Sequence, residues 1–381
     1  MTNTSVVLDR IEAAYKDSQG ILLYVTDFDG CWGLQQSANL AIVSAEALEV
    51  YRQLQGALSH HLVINTGRPP ESLLYSLNRI HFAQDDAAEH PLFVPHAICE
   101  MGTAYVTPAH VDDEVYQSLH IRPGYEFQHF TPPAGYNGIS VRADVAFNAE
   151  QRAGELALFK MTRNHLKHHH HPGFEFEPKR HTVTLHSNSG KTSEDASLKL
   201  IDTMMVLLGN PANAKIEQFG KTRILTIPLF TDPTTNHTYR DIHIKITQGH
   251  NVADAVPYGI DKASATHEII NRARNDNPGK RISVVTVGDS AVDGLMTQAA
   301  LESSHVTQVI PIRVGDRPFE EQHEKYVALA IGGDGDQGRA IGNFIEFNRT
   351  LLGVFARHSR GRELKPTPPS HVIRRIKQKA L

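Results

Sequence analysis

Short apolar runs that stop abruptly at polar or glycine residues punctuate this chain. They are Ile21-Leu22-Leu23-Tyr24-Val25 before Thr26-Asp27, Leu62-Val63-Ile64 before Asn65-Thr66-Gly67, Ala97-Ile98-Cys99 before Glu100-Met101-Gly102, Ile282 to Val287 before Gly288-Asp289, and Val306 to Ile312. Strands covered on both faces carry unbroken runs of this kind. Between several of them apolar residues recur at three- and four-residue steps, over Ala41 to Leu58 and over Ala263 to Ala273, the second halted by Asn277-Pro278-Gly279. Strands alternating with helices predict an α/β fold built on a doubly wound, Rossmann-like parallel sheet.

The stretch from about Ala104 to Gly249 is patterned differently. It alternates polar and apolar residues over His181 to His186, Arg223 to Leu229 and Asp241 to Ile246, with helical spacing over Glu194 to Leu208. That pattern belongs to a half-exposed antiparallel sheet with helices on one face. The expected organisation is a discontinuous core of residues 1–104 and 250–350, an inserted α+β domain of residues 105–249, and a basic tail of residues 351–381. Two segments stand apart. His165-Leu166-Lys167-His168-His169-His170-His171-Pro172-Gly173 reads as an exposed loop of the insert; histidine runs can bind transition metals, but ligands bunched in one flexible run control metal geometry poorly. The tail, with Arg357, Arg360, Arg362, Lys365, Arg374, Arg375, Lys377 and Lys379, reads as a solvated segment or short amphipathic helix.

Composition narrows the function classes. With 381 residues, 40% of them hydrophobic and 21% charged, the chain can bury two cores and is not a disordered polymer. A net charge of -4 lacks the basic excess that phosphate-backbone binding needs, so no nucleic-acid partner is expected. Cys31 and Cys99 are too few for a disulfide framework and fit a reducing compartment. The polar start, without a signal-like apolar stretch, and the lack of any run of ~18 apolar residues predict a cytoplasmic protein with no membrane span. Nothing in the sequence speaks to oligomeric state.

In doubly wound sheets ligands bind outside the carboxyl ends of the strands, so the residues ending each run should converge. Those residues are Asp27 and Asp29, Thr66, and Asp289 and Asp293, with Lys262 opening the helix that precedes the last pair. Carboxylates gathered from separate strands make a hard, oxygen-rich cation site suited to Mg²⁺. A hydroxyl and an ammonium beside them would complete a phosphate pocket.

Four motifs in order resemble those of the haloacid dehalogenase superfamily of phosphatases: Asp27-Phe28-Asp29-Gly30, Asn65-Thr66-Gly67-Arg68, Lys262 at a helix start, and Gly288-Asp289-Ser290-Ala291-Val292-Asp293. The resemblance implies that Asp27 is a nucleophile taking the phosphoryl group, and that Asp29 is the acid and then the base. It implies Mg²⁺ as cofactor, with a metal set of Asp27, Asp29 through its backbone carbonyl, Asp289 and Asp293, the last orienting Lys262 or a water. Thr66, Gly67, Arg68 and Lys262 would hold the phosphoryl oxygens. The family usually has Thr or Val where this chain has Cys31, followed by the only tryptophan, Trp32. A thiol nucleophile there would need a histidine base, and none matches.

An insert after Glu100-Met101-Gly102 resembles the branch of that superfamily whose cap is an α/β domain of the second type, a branch rich in sugar-phosphate phosphatases. Within it Gly173-Phe174-Glu175-Phe176-Glu177-Pro178-Lys179, followed by Leu185-His186, is similar to a pattern of trehalose-6-phosphate phosphatases, implying that Glu177, Lys179 and His186 meet sugar hydroxyls. A surface ion pair is the plainer reading of the same residues. The fourth motif, with Ser290 and Gly294, is closer to sucrose-phosphate phosphatases. The expected substrate is therefore a sugar-phosphate monoester, the sugar left open. A receiver domain uses a similar acidic cluster but lacks a large insert; the other rival is a catalytically idle member serving as a binding partner. Asp334-Gly335-Asp336-Gln337-Gly338 reads as a turn with too few oxygen ligands for a cation.

Overall fold

The computed structural model describes residues 4–37, 40–82, 93, 95–106, 144–145, 152–177, 179, 181–188, 190–249, 251–316 and 328–359. From the N-terminus, α1 (Thr4–Lys16) leads to β1 (Gly20–Thr26), β2 (Leu34–Ser37), β3 (Leu40–Ile42), α2 (Ala45–Leu58), β4 (Leu62–Asn65), α3 (Pro70–Phe82), β5 (His96–Cys99), β6 (Ala104–Val106) and β7 (Asp144–Val145). The middle holds α4 (Ala153–His168), β8 (Phe174–Glu177), β9 (Val183–Ser187), α5 (Ser193–Leu207), β10 (Lys215–Phe219), β11 (Thr222–Thr231), β12 (Thr238–Gln248) and β13 (Val252–Pro257). The last part is α6 (Lys262–Asp276), β14 (Arg281–Gly288), α7 (Gly294–Glu302), β15 (Val306–Val314), β16 (Leu329–Ile331) and α8 (Gln337–Ser359).

The five apolar runs lie side by side. The larger sheet has the order β16-β15-β14-β1-β4-β5-β6-β7. Its strands are parallel from β16 to β5, and β6 and β7 add antiparallel at one edge. Helices cover both faces, which is why the strands carry no polar alternation. On one face α1, α2 and α8 pack with Tyr24, Ile64 and Ile312. On the other, α6 and α7 pack with Leu23, Val25, Val63 and Val284. Tyr24 reaches through the core to donate its hydroxyl to Asn348 of α8 at 2.9 Å.

The second sheet, of order β10-β11-β12-β13-β9-β8, is antiparallel throughout. Alternate residues of its long strands, such as Leu225, Ile227, Ile242, Ile244 and Ile246, are buried under Phe159 of α4 and Leu200 and Met204 of α5. The other face stays wet, matching the alternation in the sequence. Among the described residues no helix is long and apolar enough to cross a membrane.

Four local expectations are corrected. The helix over Ala41 to Leu58 starts later: Ser44 stops it by accepting from the Ala47 N–H at 3.0 Å, and Leu40–Ile42 instead pairs with β2. The tail expected from residue 351 begins as the end of α8, with Leu351, Val354 and Phe355 buried and Arg357 in the last turn; the basic residues beyond Ser359 lie outside the described residues. The insert's edges also shift. Residues 104–106 ladder onto the core sheet, and the antiparallel sheet continues to Pro257, past residue 250. Within the histidine-rich segment, α4 runs on to His168, so the loop begins only at His169.

Candidate active site

The strand order reverses between β1 and β14, and the two are in register with Thr26 opposite Val287. The residues beyond these strand ends therefore leave the sheet together at its topological switch point. Asp27 stays tied to this edge, its N–H donating to the Val287 carbonyl at 2.8 Å. Two glycines make room for the acids. A Cβ at Gly30, whose φ is +70°, would lie 2.0 Å from Oδ2 of Asp289, and one at Gly288 would lie 2.1 Å from Cβ of Asp293. No other residue type fits at either position.

Asp27, Asp289 and Asp293 offer oxygens that all lie within 4.8 Å of one another. Lys262 Nζ stands between two of them, 2.9 Å from Oδ2 of Asp27 and 2.5 Å from Oδ1 of Asp293. The lysine is placed by the start of α6: Asp261 caps the helix through the Ser264 N–H at 2.9 Å, and Asn65 holds the Lys262 carbonyl at 3.0 Å. Asp293 is fully engaged, since its second oxygen accepts from the N–H groups of Asp289 and Ser290 and from the Ser290 hydroxyl. Asp27 is not: its Oδ1 is buried without a partner among the described residues.

The charges explain how each group titrates. Burial, then Asp293, pushes the Asp27 carboxyl well above the ordinary range, against the pull of Lys262. Burial and Asp293 likewise raise Asp289 to about 7. Burial alone would raise Asp293, but the Lys262 ammonium overrides it and holds Asp293 low. Burial would lower Lys262, and Asp27 and Asp293 more than reverse that. Among the described residues three carboxylates thus face a single ammonium, and the all-oxygen set with one orphaned buried acceptor fits a hard divalent cation such as Mg²⁺.

Asp29 stands outside this cluster. Its carboxylate is gripped by Arg68, whose Nε lies 2.9 and 2.8 Å from its two oxygens and whose second nitrogen lies 2.7 Å from one of them. Arg68 is itself buried, donates to Ser72 Oγ at 2.8 Å and sits over the Phe28 ring at 5.8 Å. Thr66 is buried at the end of β4, where its Oγ1 accepts from the Arg68 N–H at 3.2 Å. Gly67 lies between them, and a Cβ there would stand 3.2 Å from Met101 Sδ.

Glu177, Lys179 and His186 form a separate group in the second sheet. Lys179 Nζ is 3.4 Å from Glu177 and 3.2 Å from Asp254, and His186 Nε2 is 3.0 Å from Glu177. Glu177 and Lys179 are both buried, so the plainer expectation of a surface ion pair is corrected. Burial would lower the Lys179 ammonium, and Asp254 and Glu177 raise it instead. Glu177 also bears electrostatically on Arg68 of the core.

The loop after Asp27 is held by packing. Trp32 donates its indole N–H to Thr26 Oγ1 at 3.0 Å and lies edge-on to Tyr51 and Phe344 at 5.0 and 5.1 Å. Cys31 is buried, and burial together with Asp289 and Asp27 pushes its thiol up, away from the thiolate that a nucleophile needs. Of the Asp334 to Gly338 segment only the start is the expected turn, where the N–H groups of Gly333, Asp334 and Gly335 close on Asp316, while Gln337 and Gly338 already begin α8.

Sequence reasoning missed Asn65, Ser72, Glu100, Thr184, Asp254 and Gln337. Asn65 and Glu100 end strands and carried the same positional signal as Thr66. Glu100 is buried and accepts from the N–H groups of His181 and Thr182 at 2.7 and 3.1 Å, joining the core to the second sheet. Gln337 donates to the Gly30 carbonyl at 2.8 Å from more than three hundred residues away, a contact no local pattern announces.

No family model matches the sequence, and no curated protein sequence matches it. Solved structures of similar arrangement include the C-terminal domain of a Candida albicans trehalose-6-phosphate phosphatase, at 15% identity, TM-score 0.43, covering 93% of this chain and 99% of that one. Trehalose-6-phosphate phosphatase of Aspergillus fumigatus is similar at 13% identity and TM-score 0.40, covering 90% and 97%. The C-terminal domain of the C. albicans trehalose synthase regulatory protein is similar at 10% identity and TM-score 0.42, covering 91% and 98%. Likeness this distant carries no chemistry; the residues around Asp27 do.

Proposed function

We propose that this chain is a Mg²⁺-dependent phosphomonoester hydrolase of the haloacid dehalogenase type, acting on a sugar phosphate through an aspartyl-phosphate on Asp27. The observation that carries the reading is the Asp27 carboxylate: one oxygen rests on Lys262, and the other, beside acids from a second strand, is buried with no hydrogen-bond partner among the described residues. A buried acceptor left unpaired costs about 1–3 kcal/mol. Such a cost is consistent with an oxygen kept for a ligand.

Asp27, Asp289 and the backbone carbonyl of Asp29 would hold the Mg²⁺, while Asp293, its oxygens already engaged, positions Lys262. Bound there, the ion would offset the surplus negative charge and let an anionic nucleophile meet an anionic substrate. In the first step an Asp27 oxygen forms a bond to phosphorus as the bond to the sugar oxygen breaks, and Asp29 gives that oxygen its proton. In the second, Asp29 takes a proton from water as the water oxygen bonds to phosphorus and the bond to Asp27 breaks, releasing phosphate. Thr66, Gly67 and Lys262 line the phosphoryl position. To act as the acid, Asp29 has to exchange Arg68 for substrate, and Arg68 is then free to bind a phosphoryl oxygen bidentately. Glu177, Lys179, His186 and Asp254, already joined to one another, would supply donors and acceptors for sugar hydroxyls.

The Asp29–Arg68 grip is also what favours the second reading, a catalytically idle chain that binds phosphorylated ligands. The test is phosphate release from a panel of sugar phosphates, trehalose and sucrose phosphates included, by wild type and Asp27→Asn, with Mg²⁺ or EDTA. Turnover lost in EDTA and in Asp27→Asn supports the hydrolase. Binding of Mg²⁺ and beryllofluoride without turnover on any substrate supports the idle reading, and binding of neither sinks both.

A further inference from the structure

The histidines at the end of α4 do more than lie in a row. Because the helix continues to His168, His165 stands one turn before His169 on the same side. Their rings stack with centroids 4.1 Å apart and planes at 19°, and the His171 ring lies 5.9 Å from that of His165. His169 Nδ1 is 2.8 Å from the His165 carbonyl. A carbonyl only accepts, so this contact calls for the proton on Nδ1, which in the neutral tautomer leaves the lone pair on Nε2. His171 Nε2 is buried with no hydrogen-bond partner among the described residues.

We propose that His165, His169 and His171 form a second metal site, taking a transition ion of the Zn²⁺ or Ni²⁺ class through imidazole nitrogens. Imidazole selects such ions, whereas the carboxylates around Asp27 suit Mg²⁺. Two histidines four apart on a helix share one face, as paired zinc ligands do. The Nδ1 contact of His169 to a carbonyl is the outer support that orients a ligating ring. His168, whose Nδ1 is 2.7 Å from the Asn164 carbonyl, and His170 stand outside the stack. The three rings are stacked and not converged. His169 is exposed and His165 half-buried, and loading the site requires their rings to turn about side-chain torsions until the nitrogens converge. The Lys199 charge bears on His165 and His171, but its ammonium is turned to Asp202 at 3.6 Å. The His171 carbonyl accepts from Phe174 N–H at 3.0 Å, so an ion on His171 would tie α4 to the first residue of β8, the strand that ends in Glu177.

The site is tested on the full chain, with the Asp27 cluster saturated by Mg²⁺, by calorimetric titration of Zn²⁺ and by the visible absorption of added Co²⁺. One ion is expected, with His165→Ala and His171→Ala each weakening it by about 10-fold or more, while His168→Ala and His170→Ala stay within about twofold. Far-ultraviolet circular dichroism checks that each variant is folded. Equal losses in the His168 and His170 variants would reduce the site to an exposed histidine run and overturn the proposal. So would the absence of Zn²⁺ binding or of any change in the Co²⁺ spectrum. None of these readouts depends on hydrolase activity.

Discussion

Glu100, at the end of β5, receives the backbone N–H of Thr182 at 3.1 Å, so a core carboxylate holds the turn between β8 and β9 in the second sheet. That turn links the strand ending in Glu177 to the strand carrying His186, which makes Glu100 a positioning residue for the Glu177, Lys179 and His186 group. Glu100→Ala removes the acceptor of two backbone donors and is expected to cost about 1–3 kcal/mol in urea unfolding. Under the hydrolase reading KM for the sugar phosphate rises more than kcat falls. A variant with unchanged stability and KM would show that the two sheets are held by other contacts.

Lys262→Ala leaves Asp27 and Asp293 facing each other in a buried site. Breaking a buried ion pair from one side costs about 3–5 kcal/mol, and Mg²⁺ should restore part of it. Thermal unfolding with and without Mg²⁺ checks both halves; a variant as stable as wild type in EDTA contradicts the charge balance described above.

Stability of the metal-free chain should depend on pH with a sign opposite to the usual carboxylate case. Asp289 titrates at about 7 in the folded chain against an ordinary value of 3.8, because burial and Asp293 disfavour its charge. Between those two values the folded chain keeps a proton that the unfolded chain has lost, so stability falls as pH rises through the interval. Saturating Mg²⁺ favours the ionised site and should flatten or reverse the slope. Urea midpoints measured across the interval decide the matter, and a rise in metal-free stability with pH would be the contrary result.

Gly30→Ala introduces a Cβ where Asp289 Oδ2 already sits, at a φ of +70° that alanine resists. Displacing Asp289 by about an ångström should lower turnover by about 100-fold. Loss of Mg²⁺ affinity by calorimetry should accompany it, and retained affinity would place the metal elsewhere.

Arg68→Lys exchanges a planar fork for a point charge and removes the two-oxygen grip on Asp29. Turnover should drop by roughly 10-fold or more if Arg68 and Asp29 act as a pair in acid–base work. Faster turnover than wild type would instead identify the grip as a brake.

The parts of the fold that could be read in the sequence are those fixed by local pattern. The buried strands announce themselves as runs such as Ile282 to Val287, and the half-exposed strands by alternation such as Arg223 to Leu229. Edges were harder, because the ladder that claims Ala104–Val106 for the core is a pairing between distant residues, and the Ser44 cap is a single hydroxyl inside an otherwise helical spacing. Asp27, Lys262, Asp289 and Asp293 were legible because they end strands or begin helices at one edge of the sheet. Asp254 was not: it meets Thr184 by cross-strand register and Lys179 by proximity, neither of which spacing along the chain records. Nor could the sequence tell that Asp29 and Arg68 pair, since that depends on how two strand ends are set against each other.

Trp32 gives the chain an internal optical probe. It is the single tryptophan of the sequence, it sits within the loop that carries Asp29 and Gly30, and its indole is sealed between Tyr51 and Phe344 while bonded to Thr26. Intrinsic tryptophan emission therefore reports on this one loop and on no other part of the molecule. Red-shifted emission on mild denaturation, arriving before the loss of helical signal, would time the opening of the loop against unfolding of the sheet beneath it.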